Sequence, residues 1–127
     1  MAKSNYLENK VLDHFLGTSS TSAPSNVYVG LFTSDPTDAG SGTEVSGNGY
    51  TRKVATFSSA SSGSTSNSSA IEFTASGGAF GTVTHFGVFD ASSSGNLLYH
   101  GALTASKTIA DTDTLKISAT GLSITET

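Results

Sequence analysis

The sequence predicts an all-β protein: an antiparallel β-sandwich or jelly-roll-like barrel of about seven or eight strands, with one short N-terminal amphipathic helix. Apolar residues have clear helical spacing near the start of the chain, whereas the rest alternates short apolar blocks with loops rich in serine, threonine and glycine. Hydrophobic residues make up 35% and charged residues 13% of the 127 residues, and the net charge is −4. Disordered chains combine low hydrophobicity with high net charge, so this composition favours a folded domain.

The helix is predicted over residues 5–16. Its apolar stripe consists of Leu7, Val11, Leu12, Phe15 and Leu16. Asn5 followed by Glu8 has the spacing of an N-terminal cap, and Gly17 stands where a left-handed residue commonly ends a helix. A helix of roughly 12 residues is marginally stable alone in water, so it must dock on its own domain or on a partner.

The remaining chain contains the predicted strands. They cover residues 27–33, 50–57, 70–74, 81–89, 97–103, 107–109, 114–118 and 122–125. Both faces of the first are apolar, which is typical of a central strand covered on two sides. In residues 81–89, strict alternation places Val83 on the opposite face from Phe86 and Val88. Residues 58–69 are predicted to form either a mobile loop or a very polar edge.

We expect a single domain overall. Within it we distinguish an N-terminal helical segment, residues 1–17, from a β-sandwich domain, residues 18–127. The absence of a heptad repeat argues against the shaft of a long fibre.

The sequence contains no recognisable catalytic, cofactor-binding or metal site. None of its serines stands in a Gly-x-Ser-x-Gly elbow, and the pairs Asp35/Asp38 and Asp111/Asp113 fall in loops, where turn capping is their common role. A glycan hydrolase would need two carboxylates beside a groove. His85 and His100 lie in neighbouring predicted strands and could face one another, but without cysteine they make a weak zinc site. We predict no enzymatic activity, no cofactor and no metal.

Charge and hydropathy also restrict the partners. Six basic residues are scattered among ten acidic ones, which argues against nucleic acid. No apolar run approaches the roughly 20 residues of a membrane span, so we predict no membrane partner. The N-terminus lacks the continuous apolar core of a signal peptide, which indicates synthesis in the cytoplasm without general secretion.

Four stretches, residues 4–9, 27–36, 81–90 and 95–103, resemble a family of small tailed-bacteriophage structural proteins. Members are variously labelled tail fibre proteins or capsid decoration proteins. The resemblance covers nearly the whole chain and implies a β-sandwich or jelly-roll module in the virion, made in the host bacterial cytoplasm. It implies no catalysis and supplies no active-site residues.

The resemblance implies two functions. The first is a capsid decoration or cement protein, which binds the outer surface of the major capsid protein shell in hundreds of copies. The alternative is a tail- or fibre-associated structural protein, an adaptor or tip involved in host adsorption, present in few copies. The expected partners are the major capsid protein or other virion proteins, and a homo-oligomer, dimer or trimer, fits both functions.

The N-terminal helix is the predicted docking element, because an amphipathic helix can lay its apolar face in a groove of a partner. The predicted partner-binding residues are Tyr6, Leu7, Val11, Leu12 and Phe15.

Overall fold

The computed structural model describes residues 1–126, which form nine strands and one helix. In chain order these are β1 (Ala2–Lys3), α1 (Asn5–Phe15), β2 (Val27–Phe32), β3 (Lys53–Ala55), β4 (Ser64–Ser66), β5 (Ile71–Thr74), β6 (Gly81–Phe89), β7 (Leu97–Ile109), β8 (Thr114–Ile117) and β9 (Ser123–Thr125). The predicted helix and all the predicted strand segments are present, although 97–103 and 107–109 belong to one long strand. The two additional strands, β1 and β4, are too short to show an apolar alternation.

The strands form an all-antiparallel sandwich. The main sheet has five strands in the order β1-β7-β6-β2-β3, and two ribbons, β4-β9 and β5-β8, complete the fold. The predicted all-β sandwich with an N-terminal helix is confirmed. The main sheet ends at β1 on one side and at β3 on the other, and the jelly-roll-like barrel, the second predicted arrangement, stays a prediction.

The core lies between the main sheet and the two ribbons. Its largest contributors are Val29, Leu31, Val83, Phe86 and Val88 from the main sheet, and Ile71, Phe73, Leu115 and Ile124 from the ribbons. The predicted alternation of Ile71 and Phe73 toward the core is confirmed, because both are buried while their neighbours in β5 are exposed.

Strand β2 is covered on both faces, as its sequence predicts. Phe32 joins Phe89 and Leu97 in a second, smaller cluster on the outer face of the sheet, and the two phenylalanine rings stack 5.9 Å apart. Gly87 makes room for this cluster, because a Cβ there would lie 2.7 Å from Leu97.

Strand β6 departs from the predicted alternation. Val83 is fully buried in the same cluster as Phe86 and Val88, whereas the sequence placed it on the opposite face. The reason is an irregularity in the pairing with β7: Val83 lies opposite Lys107, whereas His85 lies opposite Ala102. A β-bulge or irregularity between Val83 and His85 interrupts the strict alternation of faces on which the prediction depended.

Helix α1 begins at the predicted residue, Asn5, and ends one residue before the predicted Leu16, but its cap is Ser4 and not the predicted Asn5. Ser4 is the N-cap, and its Oγ accepts a hydrogen bond from the Leu7 amide at 3.2 Å. At the other end, Gly17 has a φ of 87°, and the Thr18 amide donates to the Asp13 carbonyl at 3.0 Å. This is the geometry of a Schellman cap. Among residues 1–126, no helix is long and apolar enough to cross a membrane.

Residues 58–69 form the polar edge that was one of the two predicted alternatives. Ser64–Ser66 pair with β9, and the next residue, Asn67, is fully buried. The division of the chain into residues 1–17 and 18–127 stays a prediction. In the structure, α1 packs against β1 and β7.

Candidate docking site on the N-terminal helix

The amino end of α1 is fixed to the main sheet. The Ser4 amide donates to the Leu98 carbonyl at 2.8 Å, and the buried Ser4 hydroxyl donates to the carbonyl of Leu97. The Asn5 amide donates to the carbonyl of Asp38 at 2.9 Å. Strand β1 immediately precedes this point and pairs with β7, so the direction in which the helix leaves the sheet is set by backbone hydrogen bonds.

The carboxyl end of α1 is open to solvent. No residue of the helix is buried, and exposure rises toward its end: Leu12 is 55% exposed, Phe15 77% and Leu16 75%. These three residues, which we call the apolar tip, are larger and more exposed than ordinary scattered surface hydrophobics. Their hydrophobic side chains are unprotected by the rest of the chain.

The five predicted docking residues divide between two environments. Leu7 and Val11 are half-buried, whereas Tyr6, Leu12 and Phe15 are exposed. Lys10 lies over the Tyr6 ring, 5.6 Å from its centroid. An open cleft of about 280 Å³ separates this side of the helix from Pro24 and Leu98. The helix therefore packs loosely on its own domain, and its role as a docking site stays a prediction.

A second apolar surface, which we call the side groove, lies where the β4-β9 ribbon meets the main sheet. It has a volume of about 430 Å³. Its apolar walls are Pro24, Val27, Phe57, Val88, Leu98, Tyr99 and Ile124, with Ala60 at its exposed rim. This groove has no local signature in the sequence, because the pairing of β4 with β9, some sixty residues apart, creates it. Phe57 is half-buried against the core, with one side on the groove.

The acidic pairs that sequence analysis weighed as catalytic candidates have structural roles. Asp111 accepts the Gly77 amide at 3.1 Å and Asp113 accepts the Ala110 amide at 3.1 Å, as expected of turn capping. Asp38 accepts a hydrogen bond from Nε2 of His100 at 2.7 Å when that nitrogen carries the proton.

The two strand histidines are not directly opposite one another. His85 lies opposite Ala102, and His100 lies opposite Gly87. Within residues 1–126, no group of three or more histidine and acidic side chains has the geometry to hold a metal ion. The expectation that the chain is not an enzyme stays a prediction.

One protein family matches the chain over almost its full length. Its sequence model, described as "Podophage GP4 fiber I protein gp80", covers residues 2–125. The chain belongs to this gp80 family. As a member, it is a phage structural protein and a virion component, in agreement with the resemblance seen in the sequence. No curated protein matches it in sequence.

In this gp80-family chain, a polar clasp closes one end of the side groove. Lys3 donates to Glu126 at 2.8 Å, and the Tyr99 hydroxyl donates to the other carboxylate oxygen. The hydrogen bond from Lys3, followed by that from Tyr99, lowers the pKa of Glu126. Burial, followed by the hydrogen bond to Glu126, raises the pKa of Tyr99. The clasp ties the end of the described chain to β1 and so to the base of α1.

We expect the clasp to contribute modestly to stability and only above acidic pH. The Glu126 side chain is 44% exposed, so solvent screening limits the effect of Glu126→Gln to about 0.5 kcal/mol at pH 7. Because the folded-state pKa lies below the unfolded one, this contribution is present above about pH 4.3 and is lost as the pH falls through the folded pKa. Urea unfolding of Lys3→Met, Glu126→Gln and the double variant, at pH 7 and at pH 3, gives the coupling free energy between the two side chains. A coupling free energy as large at pH 3 as at pH 7 would contradict the expected pH dependence.

Proposed function

We propose that this chain is a tail-fibre-associated structural protein of a podophage, attached to its protein partner through the exposed apolar face of α1. The description of the gp80 family supports the fibre assignment over capsid decoration. The proposed docking residues are Tyr6, Leu12, Phe15 and Leu16, with Leu7 and Val11 at the base of the face.

The observation that carries this proposal is the asymmetry of α1. One end is fixed by β1 and Ser4, whereas the apolar tip at the other end is exposed. Burying a leucine or phenylalanine side chain contributes about 1.5–3 kcal/mol, and at the apolar tip more than half of each side chain is still exposed to solvent. A partner groove that covers the apolar tip gains this energy, and the fixed base holds the domain in a defined orientation on its partner.

The polar surface of the sandwich suits a structural role. Exposed serine and threonine side chains cover much of the ribbons, and with no cysteine the chain has no thiol chemistry. A module of low charge without reactive thiols suits an adaptor or tip and requires no bound cofactor.

Substitutions in the apolar tip test the proposal. In a phage that depends on a supplied copy of the chain, we expect Leu12→Ser/Phe15→Ser to reduce incorporation into purified particles at least about tenfold, because two central apolar contacts are lost. Both residues are exposed, so the variant should fold, as circular dichroism can check.

Val54→Ser is the matched control. Val54 is 52% exposed on β3, on neither the helix nor the side groove, and its substitution should leave incorporation unchanged. Incorporation of the tip variant at the level of this control would overturn the proposed attachment through α1.

A further inference from the structure

We propose that the apolar tip of one copy binds in the side groove of a second copy, so that two chains exchange contacts reciprocally. This inference rests on the proposed function and names the partner of the same helix face. Each chain carries one exposed apolar projection, Leu12, Phe15 and Leu16, and one open apolar recess about 430 Å³ in volume.

The two surfaces match in chemistry. Apolar side chains form most of the lining of the side groove, with Ser64 and Thr65 beside them, and the charged group in the lining, Glu126, is already paired with Lys3. An incoming phenylalanine or leucine therefore meets apolar walls, without leaving an unpaired charge buried. A charged peptide or a polar glycan would find few partners in such a recess.

The area also favours a second copy. At their observed exposures, the three tip side chains offer about 400 Å² of surface, since large side chains of this class bury roughly 150–250 Å² each. A reciprocal pair brings together two tips and two grooves, and the two tips alone contribute about 800 Å². With the walls of both grooves added, the contact reaches roughly 1,000 Å², the lower limit for a specific protein–protein interface. A single tip in a single groove buries only about half as much, which favours the two-fold arrangement.

The relative positions within one chain are compatible with exchange between chains. Leu98 lies at the cleft beneath the helix and also in the wall of the side groove, so helix and groove flank the same segment of β7. Ser4 holds the amino end of α1 at that segment. Within one chain the apolar tip is exposed and the side groove is open, so the tip does not fill the groove of the same chain.

Cross-linking tests the contact directly, because the chain contains no cysteine. Phe15→Cys chains are mixed with Ala60→Cys chains and oxidised, since Ala60 lies at the exposed rim of the groove. We expect a disulfide-linked pair to form at least about tenfold faster than with Val54→Cys chains, which carry the thiol outside the groove. Equal rates with the two partners would overturn the inference.

The mass of the purified full chain provides the second measurement. Sedimentation velocity at micromolar concentration should give twice the mass of a single chain, and Phe15→Ser/Leu16→Ser should raise the dissociation constant at least about tenfold. A monomer at every concentration overturns the inference. If the mass is that of a trimer and the disulfide between positions 15 and 60 still forms, the contact between tip and groove stands but the two-fold arrangement is overturned.

The two proposals can fail separately. A monomeric chain whose tip variant is still excluded from virions would mean that the helix binds another virion protein. If the wild-type chain is a dimer but the tip variant enters virions normally, the proposed function is overturned and the contact between copies stands.

Discussion

Replacing Arg52 with alanine should lower the free energy of unfolding by about 3 kcal/mol, because it breaks a mostly buried ion pair. The Arg52 side chain is 9% exposed, and its Nε and Nη2 each donate to the Glu44 carboxylate at 2.8 Å. Nη1 donates to the carbonyls of Ala91 and Ser94 at 3.0 and 2.8 Å. The guanidinium also lies 3.5 Å from the centroid of the Phe89 ring.

The loss would extend into the core through Tyr50. Its hydroxyl donates to Glu44 at 2.6 Å and accepts the Leu31 amide at 2.9 Å. Burial, followed by the hydrogen bond to Glu44, raises the pKa of Tyr50, so it stays a donor at neutral pH. Without Arg52, the Glu44 carboxylate keeps only this neutral partner in a partly buried position.

Urea unfolding followed by circular dichroism measures the effect. Arg52→Lys should recover part of the loss, since a lysine keeps the charge but cannot form the paired hydrogen bonds of a guanidinium. Lys107→Ala removes an exposed cation from β7 and should change stability by less than about 0.5 kcal/mol. If the urea midpoint of Arg52→Ala were as close to that of wild type as the midpoint of Lys107→Ala, the contacts of Arg52 with Glu44 would not stabilise the fold.

Replacing Asn67 with alanine should cost about 3 kcal/mol, because one fully buried side chain makes hydrogen bonds to three backbone groups. Its amide nitrogen donates to the carbonyls of Ser69 and Ser118, each at 2.9 Å, and its oxygen accepts the Leu122 amide at 2.8 Å. Alanine leaves these backbone groups without their partner and adds a small cavity.

The aspartate variant separates hydrogen bonding from packing. Asn67→Asp keeps the shape but, when ionised, loses both donors and faces two carbonyl oxygens. Because this site raises the pKa of the introduced carboxyl, its destabilisation should decrease as the pH falls toward about 4, the unfolded-state pKa, where the protonated carboxyl has regained one donor. Asn26→Ala, at an exposed asparagine, is the matched control and should be nearly neutral. A loss at Asn67 no larger than at Asn26, by thermal or urea unfolding, would contradict the assigned role.

Local periodicity predicted the elements that are long enough to show it. The helix over residues 5–16, the two-sided strand β2 and the alternation in β5 follow from side-chain spacing alone. Periodicity did not predict the change of face at Val83, because the bulge depends on how β7 pairs with β6. Strands β1 and β4, with two and three residues, are held by their partners and show no pattern of their own.

The candidate site was predictable only in part. The apolar stripe of α1 is visible in the sequence, but its exposure depends on how the folded domain leaves the helix tip uncovered. The side groove depends on the pairing of β4 with β9. Likewise, Asn67 stands in a serine-rich stretch that reads as a loop, and its partners are Ser118 and Leu122, more than fifty residues away.

The position and copy number of the chain in purified virions test the central claim most directly. Particles are separated into capsids and tails, and the chain is counted in each fraction by quantitative mass spectrometry against the major capsid protein. A tail-fibre-associated protein should be found in the tail fraction at a small number of copies per particle. Hundreds of copies per particle in the capsid fraction would contradict the fibre assignment and establish capsid decoration.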